Sequence, residues 1–454
     1  MRSPEIVLNN LASKSNNPLY HYERLYRNLY NKEFYMLAYQ NLLSKHAYRK
    51  IPIDRKRDFE ERIDRVIRKL KDQTYRLQPV SKQNGVLEDQ LVLEIIRMLL
   101  VAIYEGTFSD HSHSFRSKRS CHTALTEVQS TFTNVKWFIL GGIQGCFEQM
   151  DQHLLIHLLR RKVKDEKFIQ LIYQCLKAGY LYEWKYHQTY SGTPLGGVLS
   201  SILANIYFHQ LDTFVSELKH SYETMDVHKN PNDKQLFYTR YADDYLIGVI
   251  GSKKDAETVK DKLIHFCHEK LKLSLKDVQI VHAKKAVHFL GYQLKCTREE
   301  GQTRKIKLYV PKEKWIGKLR SLNVLKVDSN NQWKAIHRTD LVNLEDTRIL
   351  QVYNQEIKGI YRYYQLANNV TVLRHFYYIM QQSLAKTLAC KYNTSVRKIM
   401  GKYRRDGLFT VTDSSIKGRS SILYHGGFKR RKKVITDSMV DVFPVRNLNP
   451  QQKK

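Results

Sequence analysis

Two adjacent aspartates, Asp243 and Asp244, stand between two apolar runs in LFYTRYADDYLIGVI (Leu236 to Ile250). Along a strand, neighbouring side chains face opposite sides, but at a tight turn both carboxylates can converge on one spot. Two unpaired carboxylates repel each other, so a divalent cation is their natural partner. An Asp pair alone is more typical of an ordinary polar turn. The Tyr-Ala-Asp-Asp context between two apolar strands favours a metal-binding hairpin.

A metal site of this kind usually needs a third carboxylate. The preceding apolar segment, FILGGIQGCF (Phe138 to Phe147), contains three glycines and no acid. Glycine within a strand is typical of a close approach between backbones, and this explanation is sufficient for Gly141 and Gly145. The segment therefore has the form of a site strand without a metal ligand.

The elements around these residues alternate irregularly between helix and strand. Residues 1–78 are predicted to be helical, and 136–143 to form a strand followed by a helix over 151–163. A Gly/Pro turn and a long apolar helix precede the hairpin, an amphipathic helix over 252–273 follows it, and two further strands come next. From about Asp346 the chain is predicted to be helical again. Hairpins without regular βαβ repeats indicate an α+β fold.

The charge of the chain indicates its partner. There are 76 Lys and Arg residues against 44 Asp and Glu, a formal net charge of +32, and 30 tyrosines interleave with the basic residues. Basic side chains neutralise phosphates and aromatic rings stack on bases, so an excess spread over the whole chain favours nucleic acid over a merely solvated surface.

Other classes of protein are disfavoured. The six cysteines form no CxxC pair, so zinc is not indicated, and scattered single cysteines suggest a reducing compartment. No apolar run approaches about 18 residues, and the N-terminus lacks a signal-peptide core. We expect a soluble intracellular protein with no membrane partner, and the sequence leaves its oligomeric state open.

Several motifs occur in one order along the chain. YADD is similar to the active-site hairpin of reverse transcriptases. Around it stand EIIRMLLVAIYEGTFSDHSHSFRSKRSCHTAL, SGTPLGGVLSSILANIYFHQLD and FLGYQL. Before them stands YERLYRNLYNKEFYMLAY, and after them the stretch from Tyr353 to Tyr403 that begins YNQEIKGIYRYYQLANN. The ordered set resembles the reverse transcriptase/maturases encoded by group II introns, over essentially the whole chain.

This resemblance implies a right-hand polymerase fold, with fingers, palm and an α-helical thumb or maturase domain. It implies an N-terminal RNA-binding extension and start of the fingers over 1–78, fingers and palm over 79–310, and the thumb or maturase domain over 311–420. The family often carries an endonuclease domain with paired cysteines, but 421–454 contains no cysteine, so we expect a basic C-terminal tail without that domain there. The resemblance also implies a pair of divalent ions, Mg²⁺, held by Asp243, Asp244 and a third aspartate. The implied partner is group II intron RNA, with target DNA as a second candidate, in a bacterial cytoplasm or an encoding organelle.

The sequence departs from the family pattern at the metal site. Where the family has Gly-Asp-Ile-Lys-Gly-Cys-Phe-Asp, this chain has Gly-Gly-Ile-Gln-Gly-Cys-Phe-Glu from Gly141 to Glu148. Gly142 therefore occupies the position of the third aspartate, and Glu148, six residues later, is a poor substitute. With two carboxylates instead of three, Mg²⁺ binding should be weakened and polymerisation impaired.

A second departure lies in the fingers, where Asn84-Gly85 leads almost directly into Leu87 and a basic segment of the family pattern is missing. Milder changes are Leu195 for Gln, Ser201 for Pro, Ser114 for Gly and Ser117 for Pro. By resemblance, the residues that remain for nucleotide or template binding are Lys82, Arg116, Gly196, Gly197, Tyr241 and Ala242. The predicted RNA-binding residues are Arg24, Arg27, Tyr30, Lys358, Arg362, Arg374, Lys386 and Lys391.

Three functions are compatible with these residues. The first is an intron-encoded splicing factor, or maturase, with impaired polymerase activity. The second is an active RNA-directed DNA polymerase that supports intron mobility, with Gly142 as an error of sequencing or cloning. The third is an RNA-binding module unrelated to introns, or a decayed remnant. The basic run from Lys429 to Lys433 could contact RNA or DNA or be a solvated tail.

Overall fold

The computed structural model describes residues 1–44, 56–81, 86–145, 147–182, 185–187, 191, 198–224, 234–297, 303–328, 330, 332–412, 420–437 and 440–441. The helices of this described part are α1 (Pro4–Ala12), α2 (Lys32–Ser44), α3 (Lys56–Lys71), α4 (Leu87–Tyr104), α5 (Cys121–Thr131), α6 (Gln152–Lys162), α7 (Glu166–Lys177), α8 (Ser200–Thr224), α9 (Lys253–Leu271), α10 (Lys312–Ser321), α11 (Asp346–Tyr364), α12 (Leu373–Lys391) and α13 (Val396–Tyr403). Its strands are β1 (Val80–Ser81), β2 (Trp137–Ile143), β3 (Tyr180–Tyr182), β4 (Lys185–His187), β5 (Gln235–Tyr241), β6 (Asp244–Ile250), β7 (Leu275–His282), β8 (Val287–Phe289), β9 (Tyr292–Thr297), β10 (Lys305–Tyr309), β11 (Leu325–Val327), β12 (Trp333–Ala335), β13 (Arg404–Arg405), β14 (Leu408–Thr412) and β15 (Ser420–Ile422).

The main sheet carries the acidic hairpin. Its strand order is β5-β6-β2-β7, so β2 lies between the second strand of the hairpin and β7. The Ile143 N–H donates to the Asp243 carbonyl at 3.1 Å, and the Lys136 N–H donates to the Val249 carbonyl at 3.0 Å. As residue numbers increase along β2, the numbers of their partners on β6 decrease, so these two strands are antiparallel. The sheet thus places the glycine-rich segment directly beside the aspartate pair.

The chain divides into two compact units. The first contains 1–116, 139–247 and 251–280, and the second contains 117–138, 248–250 and 281–454. In the first unit, α4 supplies much of the core, with Leu91, Ile95, Ile96 and Leu99 fully buried. A helix that is apolar on most sides is expected in a core. Each such side chain contributes about 1.5–3 kcal/mol by its removal from water.

In the second unit, α11 and α12 pack through apolar residues at helical spacing and through a buried polar cluster. The Tyr353 hydroxyl lies 2.8 Å from the Ser383 hydroxyl and 3.0 Å from the Thr387 hydroxyl. Small sheets accompany these helices, in the strand orders β10-β9-β8, β11-β12 and β13-β14-β15. No helix in the described part is both long enough and apolar enough to cross a membrane.

Most of the predicted elements are present. The strand predicted over 136–143 is β2, and the helices predicted around the hairpin are α6, α8 and α9. Helix α9 begins where the sequence indicates, because Ser252 and Asp255 form a reciprocal capping box. The predicted domain boundaries remain predictions.

The prediction of helix throughout 1–78 is wrong in two segments, over 72–78, where α3 has already ended, and between α1 and α2. Between α1 and α2 the chain forms turns and a short 3₁₀ helix, Tyr26–Tyr30. The Tyr22 N–H donates to the Lys162 carbonyl at the end of α6, and Arg24 has a φ of 55°. A strand-like bridge and a left-handed residue exclude a continuous helix here. The periodicity of the sequence carries no signal for this long-range bridge.

A buried histidine in the second unit makes stability dependent on pH. His122 is fully buried in α5 with its Nε2 2.7 Å from the Tyr363 carbonyl, and burial lowers the pKa of its imidazole. The pKa of this imidazole is lower in the folded protein than in the unfolded chain, where it is about 6.5. The stability that the neutral imidazole allows is therefore present above about pH 6.5 and is lost as pH falls, because the unfolded chain then binds the proton more readily.

His122→Gln keeps a side-chain donor but does not titrate. We therefore expect the difference in thermal midpoint between the wild type and this variant to shrink as pH falls from about 7 to about 5. Thermal unfolding followed by circular dichroism at several pH values measures this difference. A difference that is constant across the range would show that His122 does not titrate between the folded and unfolded states.

Candidate active site

The turn of the β5–β6 hairpin is held in a conformation that needs support. Ala242 has a φ of 53°, the left-handed region that residues with a Cβ rarely adopt. Its N–H donates to the Ser114 hydroxyl at 2.8 Å, and its carbonyl accepts from Arg240 Nη1 at 2.9 Å. The Ser114 carbonyl in turn accepts from Asn205 Nδ2 at 2.9 Å. These hydrogen bonds fix the backbone from which Asp243 and Asp244 project.

Arg240 anchors the hairpin in the core. Its guanidinium is completely buried and donates twice to the Asp212 carboxylate, at 2.7 Å for each bond, and once to the Ser112 hydroxyl at 2.7 Å. Asp212 is equally buried and also accepts from the Tyr238 hydroxyl at 2.8 Å. A bidentate buried pair with satisfied hydrogen bonds is geometrically specific. The position of the hairpin is therefore well defined.

The two aspartates differ in position and in electrostatics. Asp243 lies in the turn, and Asp244 is the first residue of β6, with its side chain open to solvent on one side. Partial desolvation, followed by repulsion from Asp243, raises the pKa of Asp244 to about 6. Desolvation also raises the pKa of Asp243, although Arg240 opposes this rise. Two neighbouring carboxylates with raised pKa values favour a divalent cation as their partner, since a nearby positive charge stabilises their ionised forms.

Gly142 lies beside this pair. It is on β2, next to Ile143, whose N–H is bonded to the Asp243 carbonyl. A Cβ built at Gly142 would lie 3.5 Å from Asp244 Oδ1, an ordinary van der Waals distance. A side chain at this position therefore has room, and its first atom would already contact the carboxylate pair. The absence of a carboxylate here is a property of the residue type and is not enforced by packing.

Gly141 and Gly145, on either side of this position, are favoured as glycines for structural reasons. A Cβ at Gly141 would fall within 2.8 Å of Tyr245 Cζ, so the ring requires a glycine there. Gly145 has a φ of 55°, which favours glycine on conformational grounds. Gly142 shows neither constraint. The sequence-based explanation of Gly141 and Gly145 as structural glycines agrees with this geometry.

The described residues do not form a complete two-ion site. Hard divalent cations take six or more oxygen ligands, of which carboxylates supply the charge. Asp243 and Asp244 supply two carboxylates, and no group of three or more His, Cys, Asp or Glu side chains suited to a metal is found in the part of the chain that the structure describes. This donor set does not fit the pair of ions implied by the family.

The other predicted nucleotide contacts are less clear. Lys82, Gly196, Gly197 and Leu195 lie outside the described residues. Arg116 has a buried guanidinium that donates to the Glu105 carboxylate at 2.8 Å and to the Ser109 and Ser112 carbonyls at 2.6 and 2.9 Å. These contacts favour a structural role for Arg116, which closes its own loop. Tyr241 ends β5 and Ala242 forms the turn, so both adjoin the acidic pair.

The predicted RNA-binding residues of the N-terminal region are accessible. Arg24 and Arg27 are exposed on the segment between α1 and α2, and Tyr30 is half-buried with its ring edge against Tyr26. Lys71 lies over the Tyr30 ring at 5.9 Å. A basic group beside a half-exposed ring is compatible with contact to phosphates and bases.

The predicted residues of the thumb fall into two groups. Lys358, Arg362 and Arg374 are exposed. Lys386 and Lys391 are half-buried, and their ammonium groups donate to the Ala335 carbonyl at 2.6 Å and to the Asp346 carboxylate at 2.7 Å, respectively. The ion pair of Lys391 favours a structural role for it, whereas Lys386 bonds a neutral carbonyl, and the assignment of both lysines to RNA stays a prediction.

Sequence reasoning did not find the residues that hold the site. Ser114 was noted only as a departure from the family pattern, yet its hydroxyl accepts a hydrogen bond from the Ala242 backbone. Asp212 lies in a long apolar helix, and Arg240 lies in an apolar strand. A charged residue in each of two buried elements is the signal that could have predicted their pairing.

The fold and the hairpin are those of the reverse transcriptase class of proteins. The family model for "Reverse transcriptase (RNA-dependent DNA polymerase)" matches residues 68–294, and that for "Type II intron maturase" matches residues 303–446. The chain therefore belongs to the reverse transcriptase/maturase family encoded by group II introns, on a right-hand polymerase fold with a maturase domain.

Relatives agree with this membership. The chain is 36% identical over 463 residues to the "Group II intron-encoded protein LtrA" of Lactococcus lactis subsp. cremoris, a match that covers 84% of this chain and 77% of that protein. It is 29% identical to the "Uncharacterized 91 kDa protein in cob intron" of Schizosaccharomyces pombe, covering 84% and 56%. It is 24% identical to "Nuclear intron maturase 2, mitochondrial" of Arabidopsis thaliana, covering 82% and 62%.

Proposed function

We propose that this chain is a maturase: it binds a group II intron RNA and assists its splicing, while its polymerase activity is impaired. The observation that carries the second part is the position of Gly142. The backbone there adjoins Asp244, the space for a side chain is open, and no carboxylate is supplied. A divalent cation such as Mg²⁺ would be held by two carboxylates and bound weakly.

The fingers add a second reason. Helix α4 begins at Leu87, and the acids of its first turn are engaged by the protein itself. Glu88 accepts from Arg62 Nε and Nη2 at 2.7 and 2.9 Å, and Asp89 accepts from the Tyr75 hydroxyl and the Gln78 N–H. The start of α4 is therefore held by contacts within the protein, and the basic segment that precedes this helix in the family pattern is missing from the sequence. The shortened segment before it, 82–85, lies outside the described residues.

The surfaces needed for RNA carry no comparable loss. The formal net charge is +32, and exposed basic residues occur both on the N-terminal segment and on the thumb helices. Binding of a polyanion through phosphate contacts needs basic side chains and does not need the palm carboxylates. The splicing role and the polymerase role thus depend on different residues of one chain.

Splicing tests this function directly. A protein present at a concentration about 100 times its Kd for the folded intron stabilises the folded RNA by about 2.7 kcal/mol, which favours that state roughly 100-fold. We therefore expect the protein to accelerate excision of the intron that encloses its reading frame by at least about tenfold at near-physiological Mg²⁺. An unrelated group II intron of similar length is the control. Excision that is no faster with protein than without it would contradict the proposal.

An active polymerase is the second candidate, favoured by the intact hairpin with Asp243 and Asp244 in place. It predicts robust primer extension, whereas the maturase proposal predicts little. Both candidates include intron RNA as a partner, so RNA binding alone does not separate them.

A further inference from the structure

The basic run near the C-terminus is not a free tail. Residues 428–437 and 440–441, here called the belt, lie along the second unit, and over 428–436 they form neither helix nor strand. At one end Phe428 is buried, with its ring 5.4 Å from that of Tyr361, 6.2 Å from that of Tyr377 and 5.6 Å from that of Tyr424. This aromatic cluster fixes the start of the belt.

The middle of the belt is bonded to the last turns of α11 and the residues after it. The Lys429 carbonyl accepts from the Tyr361 hydroxyl at 2.7 Å, and the Arg431 N–H donates to the Gln365 carbonyl at 2.9 Å. The Gln365 amide donates to the Lys433 carbonyl at 2.9 Å. These bonds engage alternate residues of the belt by their backbone, so the backbone is held while the side chains are left to project.

The far end of the belt is fixed as well. The Ile435 carbonyl accepts from the Ser120 hydroxyl, and Asp437 pairs with Arg362 at 3.0 Å. Val440 is buried, and the Asp441 carboxylate accepts from the Cys121 N–H at the start of α5, at 2.9 Å. A carboxylate at a helix N-terminus is a favourable contact. The belt is therefore held at both ends and along its middle.

The belt presents five consecutive basic side chains: Lys429, Arg430, Arg431, Lys432 and Lys433, all of them exposed. Arg430 Nε donates to the Leu366 carbonyl at 3.1 Å and the Arg431 guanidinium lies over the Tyr361 ring at 5.5 Å, but neither contact neutralises charge. Within the described part of the chain, none of the five forms an ion pair with a carboxylate. At about 3.3 Å per residue, five positive charges lie within roughly 13 Å.

Further basic and aromatic groups adjoin the belt. Tyr377 of α12 touches Phe428, and Arg374 and Tyr378, which lie near it on the helix surface, are exposed. Lys358, one turn before Tyr361 on α11, is also exposed. Basic groups in a row beside an exposed ring match a nucleic-acid strand, since phosphates bind the cations and a base stacks on the ring.

We propose that the belt is a preorganised binding rail for the phosphate backbone of single-stranded RNA. A single row of five consecutive basic side chains matches the phosphates of one nucleic-acid strand. Since the backbone is already fixed, ordering costs less on binding than it would for a flexible tail. The choice of RNA rests on the proposed function, whereas the existence of the rail rests on the anchoring and the charge. The rail is tested by RNA binding and the proposed function by splicing, so either proposal can be contradicted without the other.

Binding of a fluorescein-labelled single-stranded RNA of about 20 nucleotides, measured by anisotropy from low to high salt, tests the rail. The variant Lys429→Gln, Lys432→Gln, Lys433→Gln should weaken binding at least about tenfold and reduce the slope of log affinity against log salt by about 2, since each contact to a single strand contributes about 0.7. The control variant Lys254→Gln, Lys262→Gln, Lys270→Gln removes equal charge from α9. It should change the slope by less than about 0.5.

An equal loss in both triple variants, or in neither, overturns the rail. A labelled single-stranded DNA of the same sequence is measured in parallel, and a loss of affinity for this DNA without a loss for the RNA also overturns the rail. Phe428→Ala tests preorganisation, since it keeps every charge but removes the anchor. It should weaken RNA binding at least about threefold and speed tryptic cleavage within 429–433. Cleavage at the wild-type rate with unchanged RNA affinity would show that the anchor has no such role.

Discussion

Primer extension on an RNA template is expected to give little or no DNA product with the unmodified chain. The palm holds Asp243 and Asp244 in a well-fixed hairpin, but the strand beside them carries Gly142. Loss even of groups that only support a metal ligand commonly costs about 10–100-fold in affinity or activity. Loss of the ligand itself should cost at least about 100-fold relative to an enzyme of the family with three acids.

Gly142→Asp is the informative variant for this prediction. A Cβ at this position has room and lies 3.5 Å from Asp244 Oδ1, so the new carboxylate would join the pair without repacking the strand. Three converging carboxylates repel each other without a cation. We therefore expect Gly142→Asp to lower the thermal midpoint in the absence of Mg²⁺ and to make the midpoint rise more steeply with added Mg²⁺ than in the wild type.

Primer extension on the RNA template should be restored only in part by Gly142→Asp, because the fingers segment is still shortened in this variant. Gly142→Ala is the matched control, since it adds the Cβ without a ligand and should restore nothing. Robust extension by the unmodified chain would refute the impairment. A Gly142→Asp variant that binds Mg²⁺ no better than Gly142→Ala would show that this position does not face the metal site.

Arg240→Met should cause the largest loss of stability of any single change considered for this chain. The substitution leaves the Asp212 carboxylate fully buried without its partner, and breaking a buried pair in this way costs about 3–5 kcal/mol. It also removes the hydrogen bond from Arg240 to the Ala242 carbonyl, so the left-handed turn loses one of its two supports. Urea unfolding followed by circular dichroism measures the change in the free energy of unfolding.

Two companion variants establish the cause. Arg160→Met breaks an exposed pair with Glu166 and should cost no more than about 1 kcal/mol. The double variant Arg240→Met with Asp212→Leu removes both buried charges and should be more stable than Arg240→Met alone. A double variant as unstable as the single one would show that shape, and not the uncompensated charge, sets the cost.

The local parts of this fold could be predicted from the sequence. The strand β2, the acidic hairpin and helices such as α9 and α12 have strong periodicity or clear capping residues. The segment around Tyr22 could not be predicted, because it depends on a backbone bridge to α6, far away in sequence. Strands of two or three residues in the second unit, such as β11 and β12, are too short for their periodicity to be recognised.

The candidate site shows the same division. The acidic pair and the missing acid at Gly142 could be recognised from the residue types alone. That these residues lie side by side follows from the register of the sheet. The binding residues taken from the resemblance remain predictions, and packing separates them: Arg116 and Lys391 pair with carboxylates within the protein, whereas Lys386 donates to a neutral carbonyl. A sequence shows that a cation is present, but only packing shows whether it is free to bind a phosphate.

The measurement that tests the central claim most directly is intron excision by the double variant Asp243→Asn, Asp244→Asn. This variant removes both remaining palm carboxylates but leaves the predicted RNA-binding residues of the N-terminal segment and the thumb unchanged. If the chain acts as a maturase on an impaired polymerase palm, the variant should accelerate excision to within about twofold of the wild type at near-physiological Mg²⁺. Loss of that acceleration, in a variant that still folds and binds intron RNA with wild-type affinity, would contradict the account.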